Sequence, residues 1–439
     1  MSSWWCEHAW LGAAPVAGVR VEATDTVITA VQAGAVPRPG DVRLTGLVLP
    51  GFANAHSHAF HRALRGRTHD EGGTFWSWRE RMHSLAQRLD PDGYLALARA
   101  TYAEMALAGV SCVGEFHYLH HGPGGAPYDE PNVMGDALRQ AASDAGIRLT
   151  LLDACYLSGG LTAQGHTPLS PAQQRFSDGS FTAWERRVAL LRPDDGTRVG
   201  VAIHSVRAVP RAELAQVGAA MPHAPLHVHL SEQRAENEAA QGFYAMSPTQ
   251  LLAGAGVLGP RTTAVHATVA EQPQLLGATG TRVCFCPTTE RDLADGIGPA
   301  RQLADLGSPL CLGSDQNAVI DPLEEARTLE LHERLRCGER GRFSPAELVD
   351  ALTVNGHAAL GWPQAGRIGV GAPADLVAVR LDTVRTAATL VAQAIYAASA
   401  ADISTVVVSG RTVVEDGRHR LGDVAALLQR AIEPLWEHP

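Results

Sequence analysis

Apolar runs rich in β-branched residues recur through the middle of the chain, at residues 110–115, 148–156, 198–206, 226–232, 262–268, 282–287 and 309–315, and a further strand leads into His56. Helical periodicity occupies many of the intervals. Over 93–108, Leu95, Leu97, Tyr102 and Met105 mark an apolar face, and 132–145 has a similar pattern. Strands buried on both faces and alternating with helices predict a parallel sheet. Eight such units over about 300 residues favour a closed (β/α)8 barrel over an open sheet.

The two ends differ from the middle. Residues 1–48 hold short alternations cut by Gly, Pro and Asp, such as Val27-Ile-Thr-Ala-Val31, and the pattern returns in Ala374-Asp-Leu-Val-Ala-Val-Arg380 and in residues 404–414. Both ends are expected to meet in one small β-sandwich. The expected division is therefore 1–48 and 365–439 for the sandwich, with a helix over 424–432, and 49–364 for the barrel.

Composition removes several functions. The net charge is −10 and no basic run occurs, so nucleic acid and anionic membrane surfaces are not expected partners. All 36 basic residues are arginine. Without lysine there is no Schiff base, no P-loop and no carboxylated lysine bridging two metals. Seven cysteines at scattered spacings do not make a disulfide framework, and Cys284 and Cys286 are read as small buried strand residues. The opening residues lack a signal-peptide pattern and no apolar stretch approaches membrane-spanning length, so a cytoplasmic location is expected.

In a barrel of this class the active site lies where the strands finish. Strand one ends in His56-Ser-His58, and residues two apart on a strand share a face, so both imidazoles aim at one point. The second strand ends in Glu115-Phe-His-Tyr118, the fourth in His204-Ser-Val-Arg207 and the fifth in His227-Val-His-Leu-Ser-Glu232. The sixth ends in His266 and the eighth in Gly313-Ser-Asp315. Packing alone does not explain so many polar strand ends, because each would need its own buried partner.

A hydrolytic metal needs protein ligands and an open position for water. His56, His58, His229 and Asp315 can supply the ligands. His229 is preferred to His227 because it is nearer the strand end, and His227 is expected a layer deeper. Asp315 can accept the first proton, Glu232 can pass a proton to the substrate, and His266 can hold the attacking hydroxide or polarise the scissile carbon–nitrogen bond. Exposed positions are expected for His120 and His121, beside a Gly-rich loop.

With these residues in this order, the chain resembles the amidohydrolase superfamily, and His229-Leu-Ser-Glu232 is similar to the signature of its mononuclear deaminase branch. Within that branch Pro50-Gly-Phe-Ala-Asn-Ala-His-Ser-His-Ala-Phe60, Phe75-Trp-Ser-Trp-Arg-Glu80, Glu115-Phe-His-Tyr118 and His204-Ser-Val-Arg207 resemble the formimidoylglutamate deiminase family. The resemblance implies hydrolysis of a small dicarboxylate substrate, N-formimidoyl-L-glutamate, with one divalent ion per subunit, zinc being the expected metal, in a homodimer. It also implies a substrate pocket of His61, Arg79, Tyr118, His204 and Arg207, with Arg79 in an aromatic-rich loop over the barrel mouth and both arginines clamping carboxylates. At His61 the chain departs from the family pattern, where glutamine commonly stands. The alternative is another mononuclear deaminase of this branch, acting on a nucleobase or related ring.

Overall fold

The structure is a computed structural model that describes residues 2–69 and 75–436. Eight strands form the barrel: β1 (Phe52–Ser57), β2 (Val110–His117), β3 (Arg148–Cys155), β4 (Thr197–Ile203), β5 (Leu226–Leu230), β6 (Thr262–His266), β7 (Arg282–Phe285) and β8 (Leu310–Leu312). Each pairs in parallel with the next. The ring closes just past the end of β8, where the His58 amide donates to the Asp315 carbonyl at 2.9 Å and the Asp315 amide to the His56 carbonyl at 3.0 Å. The closing bonds therefore run through three of the residues nominated as ligands.

Strand parity sorts the side chains of β2. Phe116 points inward against the rings of His56 and His229, at centroid distances of 5.2 and 4.4 Å. Its neighbours Glu115 and His117 face the surrounding helices instead. Those helices include α1 (Phe75–Ala86), α2 (Pro91–Leu107) and α3 (Val133–Ala145). Asp90 caps α2 by accepting from the Gly93 amide at 2.7 Å, with Pro91 at the first helical position. Gly146, at φ 80°, ends α3 in the left-handed conformation that glycine adopts freely.

The chain ends build one continuous eight-stranded sheet, joined where Val42–Pro50 pairs antiparallel with Leu376–Val379. Period-two alternation gives this sheet two buried faces. Val48, Leu376 and Ala378 share a core with Trp4, Cys6 and Val21. Leu47, Leu49, Val377 and Val379 join the core of the barrel. The two chain ends thus form the expected small β-sandwich domain, its sheet carrying its own core on one face and the barrel on the other. The apolar run ending at Pro50 belongs to this sheet, and the barrel strand bearing His56 begins after Gly51. A side chain on Gly51 would meet Ser111 Oγ at 2.4 Å and the Asp375 Cβ at 2.7 Å, so only glycine fits this crossing.

Two expectations need correction. His120 and His121 are buried, because both amides donate to the Arg175 carbonyl and the Arg175 side chain donates back to the His121 carbonyl at 2.8 Å. Arg79 lies on helix α1, not on a loop. Cys284 and Cys286 are buried, free and packed beside Cys311, as expected. No helix among the described residues is long and apolar enough to cross a membrane.

Candidate active site and metal centre

Every residue nominated from the sequence except His56 lines a single cavity at the C-terminal ends of the strands, and His56 lies buried beneath it. At its floor one donor atom from each of His56, His58, His229 and Asp315 lies within 4.8 Å of the others. Asp315 Oδ1 is 3.1 Å from His56 Nε2 and 3.3 Å from His58 Nε2, and His229 Nε2 is 3.2 Å from His56 Nε2.

Backbone carbonyls decide which ring nitrogens can bind an ion. The Phe116 carbonyl accepts from His58 Nδ1 at 2.9 Å, and the His204 carbonyl accepts from His229 Nδ1 at 2.8 Å. Each imidazole therefore keeps its proton on Nδ1 and turns a bare Nε2 lone pair to the centre. Burial pushes His56 down to about 3 and also lowers His58 and His229, so all three rings are neutral at pH 7. Burial works against charge on Asp315. The neighbouring His56 ring and the charge on His266 outweigh it and hold the carboxyl well below the usual range. Converging nitrogen lone pairs beside an ionised carboxylate fit a divalent cation of the zinc class.

Beside this cluster stand Glu232 and His266. His266 Nε2 is 3.9 Å from Glu232 Oε1, and its Nδ1 is 3.7 Å from Glu290 Oε1. Burial opposes protonation of His266, but Glu232, Glu290 and Asp315 together push it up to about 10. Burial also raises Glu232, despite the pull of His266 and Arg207. His266 and Asp315 both adopt left-handed backbone, at φ 73° and 42°. For non-glycine residues this costs on the order of 1–3 kcal/mol each, held here by the surrounding bonds. Asn317 supplies some of them, its amide donating to Ser57 Oγ at 3.2 Å and to the His58 carbonyl at 3.0 Å.

The remaining nominated residues form the upper wall. His61 Nε2 is 2.8 Å from the Tyr118 hydroxyl, and burial holds His61 well below its ordinary value, so it is a neutral hydrogen-bonding group and not a cation. His204 packs on Tyr156 and Tyr118, at 4.5 and 5.4 Å between ring centroids. Arg79 reaches from α1 to the Tyr156 hydroxyl and the Gly159 carbonyl, both at 3.3 Å, with its guanidinium over Trp76. Arg207 donates through Nε to Glu236 Oε2 at 3.1 Å. His227 is deeper, and its Nε2 donates to the Ala359 carbonyl at 3.1 Å.

Sequence inspection missed Tyr156, although it closes the run 148–156 and the strand-end rule reaches it. It also missed Glu236, which lies in the first turn of the helix after β5, past the strand ends that the barrel rule reaches. Glu290 and Asn317 carried no local signal. A second buried group, His117, His120 and Asp153, sits outside the barrel wall. There Arg187 binds both Asp153 oxygens, at 2.9 and 2.8 Å, so the carboxylate is already neutralised by a cation.

Residues 47–413 match the family model for the amidohydrolase family. The chain belongs to the amidohydrolase family. Its members are metal-dependent, and this protein is a hydrolase acting on carbon–nitrogen bonds. A formimidoylglutamate deiminase from Pseudomonas aeruginosa is 36% identical, the alignment covering 95% of this chain and 96% of that enzyme. An 8-oxoguanine deaminase from the same organism is 29% identical over 88% of this chain and 86% of its own. Among solved structures, an amidohydrolase from Brucella melitensis superposes with a TM-score of 0.91 at 31% identity, covering 99% of this chain and all of its own. An adenosine deaminase from Xanthomonas campestris with bound zinc shares the fold, with a TM-score of 0.81 at 23% identity over 98% and 96% of the two chains.

Proposed function

We propose that the protein hydrolyses N-formimidoyl-L-glutamate to N-formyl-L-glutamate and ammonia, using one divalent ion, zinc, held by His56, His58, His229 and Asp315. The observation that carries this reading is the presence of Arg79 and Arg207 on the same cavity as the His–Asp cluster. In a chain of net charge −10, arginines on the cavity wall are an arrangement for an anionic substrate. The identity to the Pseudomonas enzyme supports the same substrate.

A divalent ion held by His56, His58, His229 and Asp315 would supply a nucleophile at neutral pH, by lowering the pKa of water towards about 7. The protein's own groups do the rest. Arg207 and Arg79 hold the two carboxylates and fix the formimidoyl carbon over the cluster. Asp315, kept ionised, takes the proton released as water adds to that carbon. His266, kept cationic, stabilises the negative charge that develops on oxygen. Glu232, whose acid form burial favours, protonates the terminal nitrogen. As the adduct collapses, Asp315 returns its proton to that nitrogen and Glu232 recovers one from the adduct hydroxyl; the bond to the nitrogen breaks, ammonia leaves and the formyl amide remains, so one water is consumed for each ammonia released. Tyr118 and His61, paired as neutral groups, border the substrate without competing for its charge.

The test is ammonia release by purified, metal-loaded protein offered N-formimidoyl-L-glutamate, N-formimidoyl-L-aspartate, guanine and 8-oxoguanine. Turnover of the glutamate compound above the others is expected. Release from a nucleobase with none from N-formimidoyl-L-glutamate would refute the reading.

A further inference from the structure

Arg207 is bound at one end and open at the other. Its Nε donates to Glu236, whereas among the described residues neither Nη1 nor Nη2 donates a hydrogen bond to any acceptor. The residue lines the cavity. A guanidinium fixed through Nε presents its Nη1–Nη2 edge as a fork, the geometry that takes a carboxylate through two parallel hydrogen bonds. The orientation of that fork therefore depends on whatever holds Nε.

Glu236 stands at an unusual place for an acid. It sits in the first turn of helix α4 (Arg234–Tyr244) with its side chain fully buried. Its second oxygen, Oε1, is also buried and has no hydrogen-bond partner among the described residues. A buried carboxylate with one oxygen unsatisfied is costly to keep for packing alone. Among the described residues its only ion pair is to Arg207.

We propose that Glu236 is a positioning residue: its hydrogen bond to Nε aims the free Nη1–Nη2 edge of Arg207 at the substrate carboxylate and so sets the affinity for a dicarboxylate. This inference rests on Arg207 acting as a carboxylate clamp, as in the function proposed above. The chain provides the geometry by placing Arg207 four residues past the end of β4 and Glu236 near the start of the helix that follows β5, so neighbouring strand ends carry clamp and brace. Glu236 touches no reacting atom and is expected to act on substrate capture, not on bond breaking.

The experiment compares kcat and KM for N-formimidoyl-L-glutamate in metal-loaded wild type, Glu236→Ala, Glu236→Gln, Arg207→Met and the Glu236→Ala/Arg207→Met double variant. Glu236→Ala should raise KM at least tenfold with kcat within twofold of wild type. Glu236→Gln keeps a carbonyl acceptor for Nε and should remain within threefold of the wild-type KM. In the Arg207→Met background Glu236→Ala should add less than twofold, because the group it aims is gone. A wild-type KM in Glu236→Ala, an equal loss in kcat, or additive effects in the double variant would overturn the proposal. If Glu236→Ala does not fold, Glu236→Asp decides: one methylene shorter, it should raise KM as Ala would, and a wild-type KM there overturns the proposal. An unchanged KM in Arg207→Met would instead fault the clamp itself, and no turnover by wild type would fault the substrate; either removes the ground on which Glu236 was assigned.

Discussion

Replacing Asp375 by alanine should destabilise the whole protein while leaving its chemistry alone. Arg148, the first residue of β3, and Asp375, just before the strand Leu376–Val379, form a two-bond ion pair that ties the barrel to the small sheet. Arg148 and Asp375 are 4% and 2% exposed, so water cannot replace either partner. Asp375 Oδ1 also accepts from the Ser409 amide at 2.8 Å. Removing the carboxylate strands a buried guanidinium and an amide donor at once, and breaking one side of such a pair costs about 4 kcal/mol. For a chain of this length, with about 2 cal/mol/K of unfolding entropy per residue, that corresponds to a fall in Tm of roughly 5 °C. Arg148 lies at the opposite end of an eight-residue strand from the cavity, about 25 Å away at 3.3 Å per residue, so kcat and KM at 25 °C should not change. Calorimetry or denaturant unfolding measures the loss. The decisive comparison is Arg148→Met/Asp375→Ala, which removes the stranded charge as well and should recover more than half of it. If the double variant is no more stable than Asp375→Ala, the cost is not that of an unpaired buried charge and the reasoning fails.

Glu232→Gln should retain its metal by elemental analysis yet lose about 10²–10⁴-fold in kcat, the usual worth of a positioned proton carrier; a loss under tenfold rejects that role. Stripping divalent ions with a chelator should abolish ammonia release and lower Tm, since the facing Nε2 atoms lose the cation that joins them, and added zinc should restore both; unchanged activity and Tm after confirmed metal removal would exclude the centre. Burial pushes the Glu115 carboxyl from 4.5 up to about 8, so the folded protein keeps a proton that the unfolded chain releases. Stability from this group is greatest below pH 4.5 and falls as pH rises towards 8, because there the unfolded state binds fewer protons. Glu115→Gln keeps an acceptor for the Ala59 amide, bonded at 2.6 Å, and should raise Tm at pH 8 relative to wild type; an identical Tm–pH slope in the two proteins would contradict the assignment.

What the sequence made legible was whatever strand geometry dictates. Closing a parallel barrel brings the last inward residues of every strand to one place, so the strand ends announce His56, His58, His229, His266 and Asp315 without any knowledge of tertiary contacts. The groups that tune these residues were hidden, because they come from distant segments or from backbone that no side-chain pattern marks. The carbonyls of Phe116 and His204 fix two tautomers, yet any residue in those positions would offer a carbonyl. Asn317 reaches the carbonyl of His58, just past β1, across 259 residues of chain. His120 and His121 looked solvated beside their glycines because the segment that buries them, around Arg175, lies more than fifty residues on. Glu236 was hidden too: Glu232 precedes the helix that carries it, and nothing local showed that the partner would be Arg207. A sequence thus reveals the candidate ligands of such a centre more readily than the groups that aim them. Strand order alone sets the first, whereas the second depend on which loops and helices happen to pack over neighbouring strand ends.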